Sequence, residues 1–336
     1  MSTYLPMINT KLANHRVLTA VAFGDAFGAP YEIPSGELSP KPVAPFMVQN
    51  PRLGTDYGQW TDDAALNIAG GLALVRNKGS YDRETAVTYY REALLQNTNH
   101  TPALSDLGRM SFYTLLRHLP PLGWGSTVSG ALTQGMANPT AKSCGALMRA
   151  PVLFYATGLV FEADLYQLVK ADASITHEDT HAYVFGYSLI QRYLASKEAY
   201  SMEEVIKKSV ASMNTYYAVE SGLATLLMDL IQTPDSQLLI QKLRDDFSGS
   251  TARDVFVSSI VMAFRTRRRI SMRITDFISA YASCAEACEI GGDTDTRCAL
   301  MLPLCWQCGS LPYNFTAPDL VNALDIALST FLNKSR

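Results

Sequence analysis

Along most of the chain, apolar residues recur three and four positions apart, the spacing that gathers them on one face of an α-helix. The pattern predicts helices over 14–27, 64–77, 82–96, 105–117, 162–169, 181–196, 202–213, 218–231, 236–244, 253–265, 274–290 and 319–332. No segment alternates apolar and polar positions in the manner of a half-buried strand. Several starts carry capping chemistry, among them Asp82 before an acidic first turn and Ser201 followed by Glu203 and Glu204. Such acceptors satisfy the free N–H groups of a helix start. The expected fold class is all-α, and with no fixed-period repeat and no dividing linker a single domain over 1–336 is expected.

Two stretches break the pattern. Between Pro30 and Pro51 lie Pro34, Pro40, Pro42 and Pro45 as well, which remove N–H donors and clash with a preceding helical turn. A connection of that length is uncommon unless functional, and with Glu32 near its start it is expected to be a lid over an active site. The glycine-rich stretch 123–145 is expected to be irregular, its amides close enough to an anion to hold a diphosphate.

Composition narrows the class. Hydrophobic residues make up 48% and charged residues 18% of 336, which suits a well-buried globular body and excludes a disordered chain. A net charge of −3 offers no general attraction for nucleic acid or anionic lipid, so neither is expected as a partner. The N-terminus lacks a basic start followed by an apolar run, and the nearly apolar stretch 150–161 is far shorter than the roughly 20 residues a membrane span needs. A cytoplasmic monomer is expected. Five of the six cysteines fall between Cys284 and Cys308, unlike a disulfide framework, and are read as reduced, buried helical thiols.

The chemistry concentrates at two acidic helix starts. Thr61-Asp62-Asp63 precedes the apolar run from Ala64, and Gly291-Gly292-Asp293-Thr294-Asp295-Thr296 repeats the design near the other end. One Thr or Asp suffices for capping, and a second adjacent carboxylate adds repulsion that the helix dipole only partly offsets. Carboxylates and hydroxyls without His or Cys suit hard divalent cations, magnesium first and manganese next. If the two motifs meet, Asp62, Asp63, Asp293 and Asp295 crowd four negative charges together, an arrangement that needs cations near neutral pH and fits two ions better than one.

Read in order, Gly24-Asp25-Ala26-Phe27-Gly28-Ala29-Pro30-Tyr31-Glu32, Thr61-Asp62-Asp63, Gly145-Ala146-Leu147-Met148-Arg149-Ala150-Pro151, Thr176-His177 and Gly291 to Thr296 resemble the signature of the ADP-ribosylglycohydrolase family, whose best-known branch is the dinitrogenase reductase-activating glycohydrolase. The resemblance runs from about 17 to 309. It implies an orthogonal bundle of many helices that holds two magnesium ions and cleaves the bond between ribose C1″ and an acceptor atom. Matched residue by residue, Glu32, Thr61, Asp62, Asp63, Asp293, Asp295 and Thr296 occupy its metal positions. Gly145, Met148, Arg149 and His177 fall in its substrate-binding motifs. Glu32, Asp293 and Asp106, which resembles the Asp-Ile-Gly motif of arginine-directed members, are its catalytic candidates. The implied partners are ADP-ribose and a mono-ADP-ribosylated protein, with arginine as acceptor. Serine-linked, nucleic-acid-linked or small-molecule ADP-ribose, or binding without turnover, are the alternatives.

The chain departs from the family pattern in places. Ser143-Cys144-Gly145 replaces the common Gly-Asn-Gly, Ala64 replaces a Ser or Thr, and Arg297, Pro303 and Trp306 follow the last motif, with Pro303 expected to kink its helix. Other features are read as structural. His177 and His181 look like a surface pair, with His177 in a supporting role at most, and the run Arg265, Arg267, Arg268, Arg269 and Arg273 looks like a solvated helix end.

Overall fold

In the computed structural model, residues 3–8, 16–32, 60–95, 123–271, 276–305 and 319–334 are described. Among them are thirteen α-helices, one long 3₁₀ segment and no strand, which matches the all-α expectation. The helices are α1 (Val17–Gly28), α2 (Asp62–Arg76), α3 (Arg83–Leu95), α4 (Ser126–Gln134), α5 (Glu162–Ala173), α6 (His181–Leu194) and α7 (Met202–Tyr216). They continue with α8 (Leu223–Gln232), α9 (Ser236–Phe247), α10 (Ala252–Ser271), α11 (Asp276–Glu289), α12 (Thr294–Cys305) and α13 (Asp319–Lys334). The predicted helix at 105–117, Asp106, Arg273 and Trp306 lie outside the described residues, as does the proline-rich stretch from 33 onward.

Helices α1 and α12 form the centre. Every residue of each is buried, so neither shows the polar face of a surface helix. Their backbones meet through Gly24 and Gly28, four apart on one face. A Cβ at Gly24 would run into the Cys298 carbonyl, and one at Gly28 into the Thr294 carbonyl and Asp295 Cα. Thr294 Oγ1 donates to Gly28 O at 2.8 Å, which ties the start of α12 to the end of α1. Around this pair, one continuous set of buried side chains extends from Leu5 to Leu332. No helix among the described residues is long and apolar enough to cross a membrane.

The starts of α1 and α2 are capped from a distance. Arg16 and Thr61, their N-cap residues, make no side-chain cap bond. Asp325 on α13 accepts from Leu18 N and Thr19 N at 2.9 Å, from Thr19 Oγ1 at 2.7 Å and from the Tyr155 hydroxyl at 2.7 Å. Its buried carboxyl is pushed up to about 6 by desolvation, against which these bonds work. Local caps follow the sequence elsewhere: Asp82 Oδ1 accepts from Thr85 N at 2.8 Å, and Ser201 with Glu204 forms a reciprocal capping box.

Three expectations change. The stretch 123–145 is not wholly irregular, because Val128, Ala131 and Leu132 turn inward at helical spacing to build α4, which Gly135 ends at φ +76°. The helix predicted from 218 starts only at Leu223, after a turn in which Gly222 takes φ +89°. Helix α12 contains Pro303 and extends two residues beyond it, to Cys305. Three of the arginines in the run are anchored rather than solvated: Arg265 donates to Thr233 O and Ser236 Oγ, Arg267 to Leu304 O at 3.0 Å, and Arg269 pairs with Glu286 at 2.9 Å, while Arg268 is exposed as expected. As expected, Cys284, Cys288, Cys298 and Cys305 are buried free thiols on helices.

Candidate functional site

The two acidic helix tips meet. Thr61 Oγ1 lies 3.2 Å from Asp295 Oδ2 across 234 residues of chain, and Thr296 Oγ1 donates to Asp63 Oδ2 at 3.0 Å across 233. Each tip therefore sets a threonine hydroxyl against the other's carboxylate. Asp62, Asp63, Asp293, Asp295, Thr296 and Glu32 line one cleft of about 210 Å³. Thr61 sits behind them, fully buried.

Asp25 holds the first tip in place. Both of its carboxylate oxygens accept from Thr61 N at 2.9 Å, Oδ1 also accepts from Thr61 Oγ1 at 2.8 Å, and Oδ2 accepts from Ala64 N at 2.8 Å. The cap of α2 thus comes from α1, and Asp63 is released from capping. Sequence reasoning passed over Asp25 because a carboxylate in an apolar helix shows its partner only once the chain is folded. Its one signal was its place between Gly24 and Gly28, the two glycines that let α1 approach α12.

The second tip is shaped by glycine. Gly291 and Gly292 take φ +81° and +69°, and a Cβ on Gly292 would strike the Ser248 carbonyl. Arg297, fully buried, donates to Gly291 O at 2.7 Å and to Ser258 Oγ at 2.8 Å. This departure from small residues props the turn that presents Asp293 and Asp295.

Carboxylates are concentrated here. Desolvation pushes the carboxyls of Asp62, Asp63 and Asp295 well above the usual carboxylate range, and the neighbouring carboxylates push them further. Asp25 is pushed up to about 7, mainly by burial. Asp63 Oδ1 is buried and has no hydrogen-bond partner. Among the described residues no three His, Cys, Asp or Glu side chains are already gathered so as to hold a metal ion. The carboxylate oxygens are turned toward hydroxyl, thiol and backbone donors instead. The donor set itself, carboxylates and two threonine hydroxyls with one orphaned oxygen, is that of hard divalent cations.

The middle motifs form the wall and what lies behind it. Gly145 and Met148 line the cleft, as do Gly123 and Gly125. Gly123 takes φ +82°, and a Cβ there would crowd Thr61. Asn67 Nδ2 donates to Asp63 O at 2.8 Å and to Met148 O at 2.7 Å, tying α2 to the 3₁₀ segment Cys144–Tyr155.

Arg149 and His177 do not face the cleft. Arg149 is fully buried and donates from Nε to Asp172 Oδ2 at 3.1 Å, from Nη1 to Gly145 O and Thr176 Oγ1, and from Nη2 to Asp172 O, each of the last three at 2.9 Å. His177 is buried beneath Gly145, where an added Cβ would meet its ring at 2.8 Å, and its nitrogens bond Thr176 Oγ1 and Ser143 Oγ at 2.8 Å. Burial and the nearby Arg149 charge bring its pKa down to about 3, so it is neutral. His181 bonds the His177 carbonyl at 3.1 Å, and the two histidines are no surface pair. These residues prop the Gly145 wall from behind.

A family model described as ADP-ribosylglycohydrolase matches residues 14–302. Among solved structures the chain is similar to an ADP-ribosylglycohydrolase-related protein complex, at 16% identity and a TM-score of 0.62, over 96% of this chain and 99% of that one. At that identity the likeness speaks for the fold. No curated protein matches the chain.

Proposed function

The chain belongs to the ADP-ribosylglycohydrolase family, and from that premise we propose that it is a magnesium-dependent hydrolase releasing ADP-ribose from a mono-ADP-ribosylated protein, with arginine as the acceptor. The observation that carries the reading is the reciprocal pairing of Thr61 with Asp295 and of Thr296 with Asp63. It draws acidic residues from both ends of the chain into one cleft, where excess negative charge and an orphaned carboxylate oxygen favour divalent cations.

In this reading Glu32, Thr61, Asp62, Asp63, Asp293, Asp295 and Thr296 hold two magnesium ions, for which manganese can substitute. When bound, the ions supply positive charge against the ribose hydroxyls and acidify the attacking water. Gly123 and Gly125 let backbone come close to the diphosphate, and Met148 with Val128 gives the cleft an apolar side that excludes bulk water. As the C1″–N bond breaks, water oxygen bonds to C1″, its proton passes to a carboxylate, and the departing guanidine takes up a proton. Glu32, at the rim of the cleft after the turn Ala29–Tyr31, is the proton carrier among the described residues. Asp106 is the second candidate. A cytoplasmic monomer is the setting in which this activity is proposed.

The test is release of ADP-ribose from an arginine-modified protein, with magnesium and after chelation, by the wild type and by Asp293→Ala. Loss of release on chelation and in the variant is expected; equal release by the variant overturns the site. Serine-linked, nucleic-acid-linked and small-molecule ADP-ribose assayed in parallel decide the acceptor.

One observation favours a second reading, binding without turnover: Cys144 lines the cleft where relatives commonly carry asparagine. Calorimetry that registers ADP-ribose binding with magnesium, together with no release from any linkage, selects it.

A further inference from the structure

Cys144 is the one cysteine among the described residues that lines the acidic cleft. It is 7% exposed, and its Sγ–H donates to Asp293 Oδ2 at 2.8 Å and lies 3.8 Å from Thr296 Oγ1. Asp63 lines the same cavity, 1% exposed, with Oδ1 buried and unpartnered. A sulfur, a carboxylate and an orphaned carboxylate oxygen therefore surround one small space. The remaining described cysteines, Cys284, Cys288, Cys298 and Cys305, are buried on α11 and α12 and do not line it.

We propose that Cys144 is a soft ligand at the Asp293 end of the cleft, through which this chain takes up a thiophilic divalent cation, of the zinc or cadmium class, at a position otherwise built for hard ones. The inference rests on the reading that Asp293 ligates a cation. Thiolate sulfur selects soft and borderline metals, whereas carboxylate and hydroxyl oxygens suit magnesium and manganese. An asparagine at this position adds only a hard amide oxygen, so the exchange to cysteine changes the character of the donor set.

One pair of donors already lies near the spacing such a site needs, and the third, Asp63, has still to close on it. Zinc bonds sulfur at about 2.3 Å and carboxylate oxygen at about 2.0–2.2 Å, so tetrahedral ligands of one ion lie roughly 3.6 Å apart. Cys144 Sγ and Asp293 Oδ2, now 2.8 Å apart, reach that spacing by separating about 0.8 Å. On binding, the S–H bond breaks, its proton leaves to bulk water, and metal–sulfur and metal–oxygen bonds replace the S–H···O contact. No oxidant or reductant is involved.

The experiment is a titration of the full chain with cadmium, following the near-ultraviolet thiolate-to-metal charge-transfer band, with magnesium binding followed separately by calorimetry. Wild type is expected to develop the band at the first equivalent. Cys144→Ser and Cys144→Ala are expected to lose it and to bind cadmium about tenfold more weakly or worse, about 1.4 kcal/mol. Absence of the band in wild type, or the same band in both variants, overturns the proposal. Magnesium uptake without the band leaves the hydrolase reading standing and refutes the thiol ligand. The band without magnesium uptake supports the thiol ligand and counts against the hydrolase reading.

Discussion

Thr296 donates its hydroxyl to Asp63 at 3.0 Å although 233 residues separate them, so the start of α12 and the start of α2 are stitched through a carboxylate rather than through apolar packing. A carboxylate buried at 1% exposure, with one oxygen satisfied and the other bare, is expensive unless it is protonated or meets a cation. That cost makes ion binding and folding one equilibrium.

The carboxyls of Asp25, Asp62, Asp63 and Asp295 are raised above their ordinary value, Asp25 to about 7. The folded state therefore holds protons that the unfolded state has released. Without divalent ions, the stability from these groups is complete below the ordinary carboxylate value of 3.8 and is lost as pH rises, for Asp25 through about 7. Millimolar magnesium should raise the melting temperature markedly at pH 8 and little at pH 5, where protons compete for the same oxygens. Thermal melts at the two pH values with and without magnesium check this. An equal increment at both would show that the carboxylates are not the ion's ligands.

Asp325 tests the same linkage away from the cleft. Its folded value of about 6 against 3.8 means that its contribution falls as pH rises between the two, by roughly 3 kcal/mol if the shift is taken whole. Asp325→Asn removes the titration, so its stability should be flatter than wild type over that window. It should also cost stability at pH 4, because the amide nitrogen cannot accept from Thr19 or from the helix start. Denaturant melts from pH 4 to 7 decide it; parallel curves for the two proteins would remove Asp325 as the titrating group.

Much of this site was legible before folding, for a physical reason. Thr61-Asp62-Asp63 and Asp293 to Thr296 carry more acceptors than a helix start can use, and excess acceptors at two places point to a shared cation. The family positions agreed with them. The face a side chain presents was not legible: Arg149 sits beside Met148 in sequence, yet its guanidinium turns back to Asp172 while Met148 lines the cleft. Distant capping was equally hidden, since neither Asp25 nor Asp325 is near in sequence to the amides it accepts from. Helix α4 escaped notice because Ser126, Thr127, Ser129, Gly130 and Thr133 leave it only a narrow apolar stripe.

Arg149 should accordingly behave as a support. Arg149→Met leaves the Asp172 charge buried and should cost about 3–5 kcal/mol. Adding Asp172→Asn removes that stranded charge, and the double variant should recover part of the loss, because Tyr81 and Tyr90 still donate to the new amide oxygen. Urea melts of the single and double variants measure the coupling. A double variant no more stable than Arg149→Met would show that the pair is not the source of the cost.

Gly28 ties the fold to the site most directly. Alanine usually stabilises a helix relative to glycine by about 1 kcal/mol, yet here its Cβ would strike the Thr294 carbonyl and Asp295 Cα, which are backbone atoms and cannot swing away. Relief requires the first turn of α12 to retreat, carrying Asp295 from Thr61 and Thr296 from Asp63. Gly71 is the control. A Cβ there meets only the ends of Leu18, Leu324 and Leu328 side chains at 3.0–3.2 Å, which can repack. Gly28→Ala should therefore weaken magnesium binding by about ten- to a hundredfold, in line with the loss of a ligand's supporting contacts. Gly71→Ala should change stability by about 1 kcal/mol either way and leave magnesium binding as it is. Calorimetric titration of both variants at a temperature where each remains folded separates the cases. Wild-type magnesium affinity in Gly28→Ala would mean that the close approach of α1 and α12 does not set the position of the acidic tip.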